Sequence, residues 1–123
     1  MKKLLIADDD PRLLHALSIR LELEGFEVVA SRDGAEAIRA AKEVSPDLVI
    51  LDVSMPRADG FAVARAVRED TALADVPIIF MTGRSDPEFF DLAMDEHGIA
   101  FLSKPFDSNT LLPLIQCAMN SEI

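Results

Sequence analysis

Tryptophan and tyrosine are absent from this chain, and cysteine occurs once, at Cys117. A single thiol permits no internal disulfide, so the fold must rest on its core. Cys117 sits in an apolar helical stretch, where a lone cysteine is expected to be buried as a small hydrophobe. Basic residues are scarce too: 12 Lys and Arg against 22 Asp and Glu give a formal net charge of −10. Gripping nucleic acid takes clustered Lys and Arg, so direct nucleic-acid binding is not expected. Long apolar runs are also missing. No stretch reaches the ~20 residues that cross a bilayer. The run Leu4 to Ala7 behind Met1-Lys2-Lys3 is shorter than the ~7–15 apolar residues of a secretory signal. A cytoplasmic protein without membrane contact is the expectation.

What is present suffices for a core. Half of the 123 residues are hydrophobic, and the length suits one domain, expected over residues 1–123. Lys2 to Ala7 reads as a buried strand. Asp10-Pro11 then supplies a cap and a first-turn proline, and Leu13, Leu14, Leu17 and Leu21 follow at helical spacing. Gly25 is placed to end that helix. Phe26 to Ser31 reads as a second strand, Asp33-Gly34 as punctuation, and Ala37, Ile38, Ala41 and Val44 as a second helix. Asp47 to Leu51 is the third strand, and Phe61, Ala64, Val67 and Arg68 mark a third helix. Val76 to Met81 is the fourth strand, Asp86-Pro87 opens a fourth helix, and Ile99 to Ser103 is the fifth strand. A last helix covers Ser108 to Met119, with Pro113 expected to kink it or delay its start. Strands alternating with helices imply α/β: a three-layer, doubly wound, five-stranded parallel sheet.

Strand ends then share one rim, where such sheets bind ligands. Asp8-Asp9-Asp10, Asp52 and Lys104-Pro105 each follow an apolar run. Carboxylates gathered that closely repel unless a cation joins them. The pattern points to a divalent-metal and phosphate site. Asp10 is most simply a helix cap, Asp59-Gly60 turn chemistry, Asp33 a loop residue, and His15 and His97 surface positions.

Taken together, Asp8-Asp9, Asp52, Met55-Pro56 with Asp59-Gly60, Thr82, and Lys104-Pro105-Phe106 occur in order at matching strand ends. The chain thereby resembles the receiver domain of two-component response regulators, over essentially its whole length. That resemblance implies a flavodoxin-like strand order of 2-1-3-4-5 and a role in phosphorelay signal transduction. It makes Asp52 the phosphoryl acceptor, with a histidine kinase or phosphotransfer protein as donor. It assigns Mg²⁺, with Mn²⁺ as a substitute, to Asp8, Asp9, Asp52 and the backbone carbonyl of Ser54. Lys104 and Thr82 would contact phosphoryl oxygens, and Ser54 and Arg84 would tune phosphoryl lifetime. A cis Lys104-Pro105 peptide is implied as well. Thr82 and Phe101 would form a switch, read by an effector or a second copy on the face of the fourth helix, fifth strand and last helix. Phe89 and Phe90 would make that face aromatic. The resemblance implies self-catalysed phosphorylation and slow dephosphorylation, without turnover of an external substrate. A stand-alone regulator or the receiver part of a longer protein is expected.

Two other readings compete. A haloacid dehalogenase-like phosphatase would use Asp8 as nucleophile and Asp10 as acid, but Pro11-Arg12 break its motif and Asp52 would have no role. A phosphorylation-independent pseudo-receiver would have lost the acceptor, the acidic pair or the lysine, and all are present.

Overall fold

A computed structural model describes residues 1–55, 57–83, 100–104 and 108–120 of the chain. In order, its elements are β1 (Lys3–Ala7), α1 (Pro11–Leu23), β2 (Glu27–Ser31), α2 (Gly34–Val44), β3 (Leu48–Asp52), α3 (Gly60–Glu69), β4 (Ile78–Thr82), β5 (Ala100–Ser103) and a C-terminal helix (Ser108–Asn120). The five strands form one parallel sheet in the order β2-β1-β3-β4-β5. Every residue of β3 and of β4 is buried, as continuous apolar runs in a sheet covered on both faces require.

Side chains alternate across each strand, so the two faces have separate cores. Leu5, Val49, Leu51, Ile78 and Phe80 pack with Ala37, Ala41, Phe61, Val63, Ala64 and Val67 of α2 and α3. Leu4, Ile6, Leu48, Ile50, Ile79 and Met81 pack with Leu14, Leu17 and Leu21 of α1 and Leu111 and Ile115 of the C-terminal helix. Full burial of one such side chain contributes about 1.5–3 kcal/mol.

Helices α1, α2 and α3 start on aspartates. Asp10 accepts from the backbone N–H of Arg12 at 3.0 Å, ahead of Pro11 at the first helical position. Asp33 accepts from Glu36 at 2.8 Å, and Asp59 from Ala62 at 2.9 Å. Each cap contributes about 1 kcal/mol. Asp33 and Asp59 are therefore helix caps, not the plain loop and turn residues expected. Gly25, at φ +96°, ends α1 as expected.

Two further expectations change. Cys117 is exposed: Leu111, Ile115 and Ala118 hold the inward stripe, and Cys117 lies two residues from Ile115, on the opposite side of the helix. The C-terminal helix also starts at Ser108 and takes Pro113 into its span, so the proline does not delay its start. Strand 3 begins at Leu48 and takes in Asp52 as its last residue. The expected fourth helix lies outside the described residues. No helix among the described residues is long and apolar enough to cross a membrane.

Candidate functional site

Register brings the strand ends level. Ala7 pairs with Leu51, Asp52 with Met81, and Thr82 with Ser103. Backbone hydrogen bonds carry the pairing past the strands: Asp8 N–H to Ser31 O at 3.1 Å, Val53 N–H to Met81 O at 2.9 Å, and Lys104 N–H to Thr82 O at 2.6 Å. Asp8, Asp52, Thr82 and Lys104 thus meet on one rim because of backbone pairing, before any side chain makes a contact.

Asp8 is fully buried and Asp52 is 4% exposed. Lys104 Nζ lies 2.6 Å from Asp8 Oδ2 and 3.5 Å from Asp52 Oδ2. The other Asp8 oxygen accepts the Asp10 N–H at 2.8 Å, and Asp52 Oδ1 faces the Ser54 N–H at 3.4 Å. Asp9 stands exposed at the mouth. One oxygen each from Asp8, Asp9 and Asp52 falls within 4.8 Å of the others. Thr82 is buried at the end of β4.

One ammonium faces three carboxylates here. Burial pushes the Asp52 carboxyl up to about 6, and the Asp8 charge adds to the rise. Lys104 and the Ser54 N–H oppose it, while Asp9 reinforces it. For Lys104, burial favours the neutral amine. The hydrogen bond to Asp8 and the charges of Asp8 and Asp52 outweigh that, so its affinity for the proton is raised. The cluster consists of hard oxygen donors with a surplus of negative charge, a set that suits Mg²⁺.

Residues 4–116 match the response regulator receiver domain family. The chain belongs to this family. It is 33% identical over 119 residues to the DNA-binding dual master transcriptional regulator RpaA of Synechocystis, covering 97% of this chain and 49% of that protein. It is 36% identical to the transcriptional regulatory protein PdtaR of Mycobacterium tuberculosis, covering 97% of this chain and 57% of that protein. The chain therefore spans about half the length of the curated relatives it matches. Among solved structures, the chemotaxis protein CheY4 of Vibrio cholerae superposes with a TM-score of 0.91 at 33% identity, covering 96% of this chain and 98% of that one. Receiver domains are phosphorelay signalling modules, not enzymes that turn over an outside substrate. They bind Mg²⁺ at an acidic pocket, and Asp8, Asp9 and Asp52 form such a group.

This receiver brings together Asp8, Asp9, Asp52, Thr82 and Lys104 of the residues singled out in its sequence. Arg84, Pro105, Phe89, Phe90 and the Phe101 ring lie outside what is described. Asp10 turns its carboxylate to the first N–H groups of α1, which leaves a phosphatase of the haloacid dehalogenase kind without its acid. Gly60 escaped notice as a site residue. A Cβ there would fall 2.3 Å from the Asp52 carbonyl oxygen, so the chain returns from the loop directly under Asp52. The signal was available: a glycine directly follows a helix-capping aspartate, eight positions beyond Asp52.

Proposed function

We propose that this receiver accepts a phosphoryl group on Asp52 from a histidine kinase or phosphotransfer protein and passes that state to an effector or a second copy. The observation that carries this reading is the buried Asp52 carboxylate at the end of β3, with Asp8, Asp9 and Lys104 around it. An Asp52 Oδ atom attacks phosphorus and forms a P–O bond. The P–N bond of a phosphohistidine breaks, and its electron pair leaves with the imidazole. Acetyl phosphate would react in the same way, releasing acetate. The product is an acyl phosphate.

Asp8, Asp9, Asp52 and the Ser54 carbonyl would hold Mg²⁺, or Mn²⁺ through the same hard oxygens. When bound, the ion neutralises charge on the transferring phosphoryl oxygens. Lys104 is a point charge on a flexible stem, able to turn from Asp52 Oδ2 to a phosphoryl oxygen. The Thr82 hydroxyl supplies a second donor by moving toward the group. That movement would open space beside Phe101 and bias a pre-existing equilibrium, read out on the face of β5 and the helices flanking it. Ser54 and Arg84 sit two residues beyond Asp52 and Thr82, where they would tune how long the group persists. The chain catalyses its own phosphorylation and slow dephosphorylation. It acts as one receiver domain over residues 1–123, in the cytoplasm, without gripping nucleic acid itself.

Incubation with acetyl phosphate and Mg²⁺ should add one phosphoryl group to the intact mass, and EDTA should abolish the addition. An undiminished adduct in EDTA would contradict the metal's part in this reading.

Protons and metal compete for Asp52. Its carboxyl is pushed up to about 6, so Mg²⁺ affinity should be full at pH 8 and fall about tenfold by pH 5. Calorimetric titration at the two pH values checks this, and equal affinity would remove Asp52 from the ligand set. Saturating Mg²⁺ should also raise the Tm at pH 8, because it binds only the native state.

A further inference from the structure

The loop between β3 and α3 leaves from Asp52 and returns to it. Gly60 N–H donates to Val53 O at 3.0 Å, closing the base. The tip lies on the start of α2. A Cβ at Gly34 would fall 2.0 Å from the Ala58 carbonyl oxygen and 2.5 Å from Ala58 Cβ. The nearest of those atoms is backbone, so it cannot step aside as a flexible side-chain end could. Next to it, Arg57 Nη1 lies 3.6 Å from Asp33 Oδ2. Arg57 has φ +69°, a left-handed backbone that a residue with a side chain adopts only when its surroundings hold it. Asp33 therefore does two jobs. One oxygen caps α2 through the Glu36 N–H, and the other faces the arginine at the loop tip. Its side chain is 17% exposed, against 74% for Arg57, so the fixed partner is the aspartate.

We propose that Asp33 and Gly34 are positioning residues for the metal site, clasping the tip of the β3–α3 loop so that the Ser54 carbonyl keeps its place as an oxygen donor. This rests on the receiver reading above. Ser54 lies between the closed base and the clasped tip, and its N–H already faces Asp52 Oδ1 at 3.4 Å. Two fixed points bracket a short loop, and release of either lets the residues between them drift. Neither Asp33 nor Gly34 touches the metal; they act through Arg57 and Ala58.

Gly34→Ala should push the tip off α2 and weaken Mg²⁺ binding roughly tenfold, as lost outer supports of metal ligands do. Gly25→Ala is the control. It is strained at φ +96° but has nothing within 4 Å, and it lies at the opposite rim of the sheet. It should lower Tm and leave Mg²⁺ affinity unchanged. Asp33→Asn keeps a capping oxygen and loses the charge that faces Arg57. It should weaken Mg²⁺ binding about threefold, the scale of an exposed ion pair, and shift the Ser54 and Ala58 amide resonances before metal is added. Calorimetry with Mg²⁺ and amide spectra of the metal-free proteins read both effects. If wild type binds Mg²⁺ and both variants bind it equally, the clasp is wrong and the metal site stands. If wild type binds no Mg²⁺, the metal site falls and the clasp with it. If Gly34→Ala does not fold, Asp33→Asn decides: unchanged affinity with unmoved Ser54 and Ala58 amides overturns the clasp.

Discussion

Replacing Lys104 with methionine is expected to destabilise the metal-free protein by about 2–3 kcal/mol at pH 8. Removing one partner of a buried ion pair costs about 3–5 kcal/mol, because the other charge stays buried and uncompensated. Here the lysine side chain is 23% exposed while Asp8 is fully buried, and the partial exposure brings the loss to or just below the bottom of that range. Methionine keeps most of the stem's packing, so the loss reports the charge. The effect should shrink on acidification, since Asp52 gains a proton more readily once the ammonium that opposed its protonation is gone. Saturating Mg²⁺ should recover much of it by supplying positive charge to the same oxygens. Urea midpoints in EDTA and in Mg²⁺, at pH 8 and pH 5, measure all three. A variant as stable as wild type at pH 8 in EDTA would show that Lys104 does not offset the pocket's carboxylates.

Asp52→Asn should do the opposite. In metal-free protein at pH 8 it is expected to raise stability by roughly 1–3 kcal/mol. The Asp52 carboxyl is pushed up to about 6 from an ordinary 3.8. The folded state therefore binds a proton more tightly than the unfolded chain does. Below the unfolded value both states are protonated, and the native fold keeps the full benefit of a neutral side chain. As pH rises through the folded value that benefit is lost, at about 1.4 kcal/mol per unit of difference. Asparagine stays neutral throughout. The gain over wild type should be near zero at pH 4, grow between pH 4 and 6, and level off above. Urea midpoints across that range in EDTA test the sign directly, and a variant less stable than wild type at pH 8 would refute it. If the same substitution also abolishes phosphorylation, Asp52 is a residue placed for chemistry at a cost in stability.

Much of the fold was legible because its signals are local. The runs Leu4 to Ala7 and Leu48 to Leu51 announce buried parallel strands, and Asp10-Pro11 announces a helix start, each within a few residues. The rim of Asp8, Asp52, Thr82 and Lys104 follows once the strands are parallel, since register alone brings their ends level. What escaped depends on tertiary packing. Cys117 lies in an apolar stretch, yet its angular position on the helix turns it to solvent. Asp33 caps α2 through a local bond to Glu36, but its arginine partner appears only when the β3–α3 loop folds back onto α2. Pro113 does not delay the start of its helix, because helical propensity is a weak prior that packing overrides, and Leu111, Leu112 and Ile115 anchor the turns on either side of it. Gly60 gave a turn signal, and its close approach to the Asp52 carbonyl shows only in three dimensions.

The most direct test of the central claim is to find which atom carries the phosphoryl group. Protein treated with acetyl phosphate and Mg²⁺ would be reduced with borohydride, which converts an aspartyl phosphate to homoserine, and the peptides then sequenced. Homoserine at position 52, and unmodified Asp8 and Asp9, is the predicted result. Reduction at Asp8, or a phosphoryl group that survives borohydride on a hydroxyl or histidine, would contradict it.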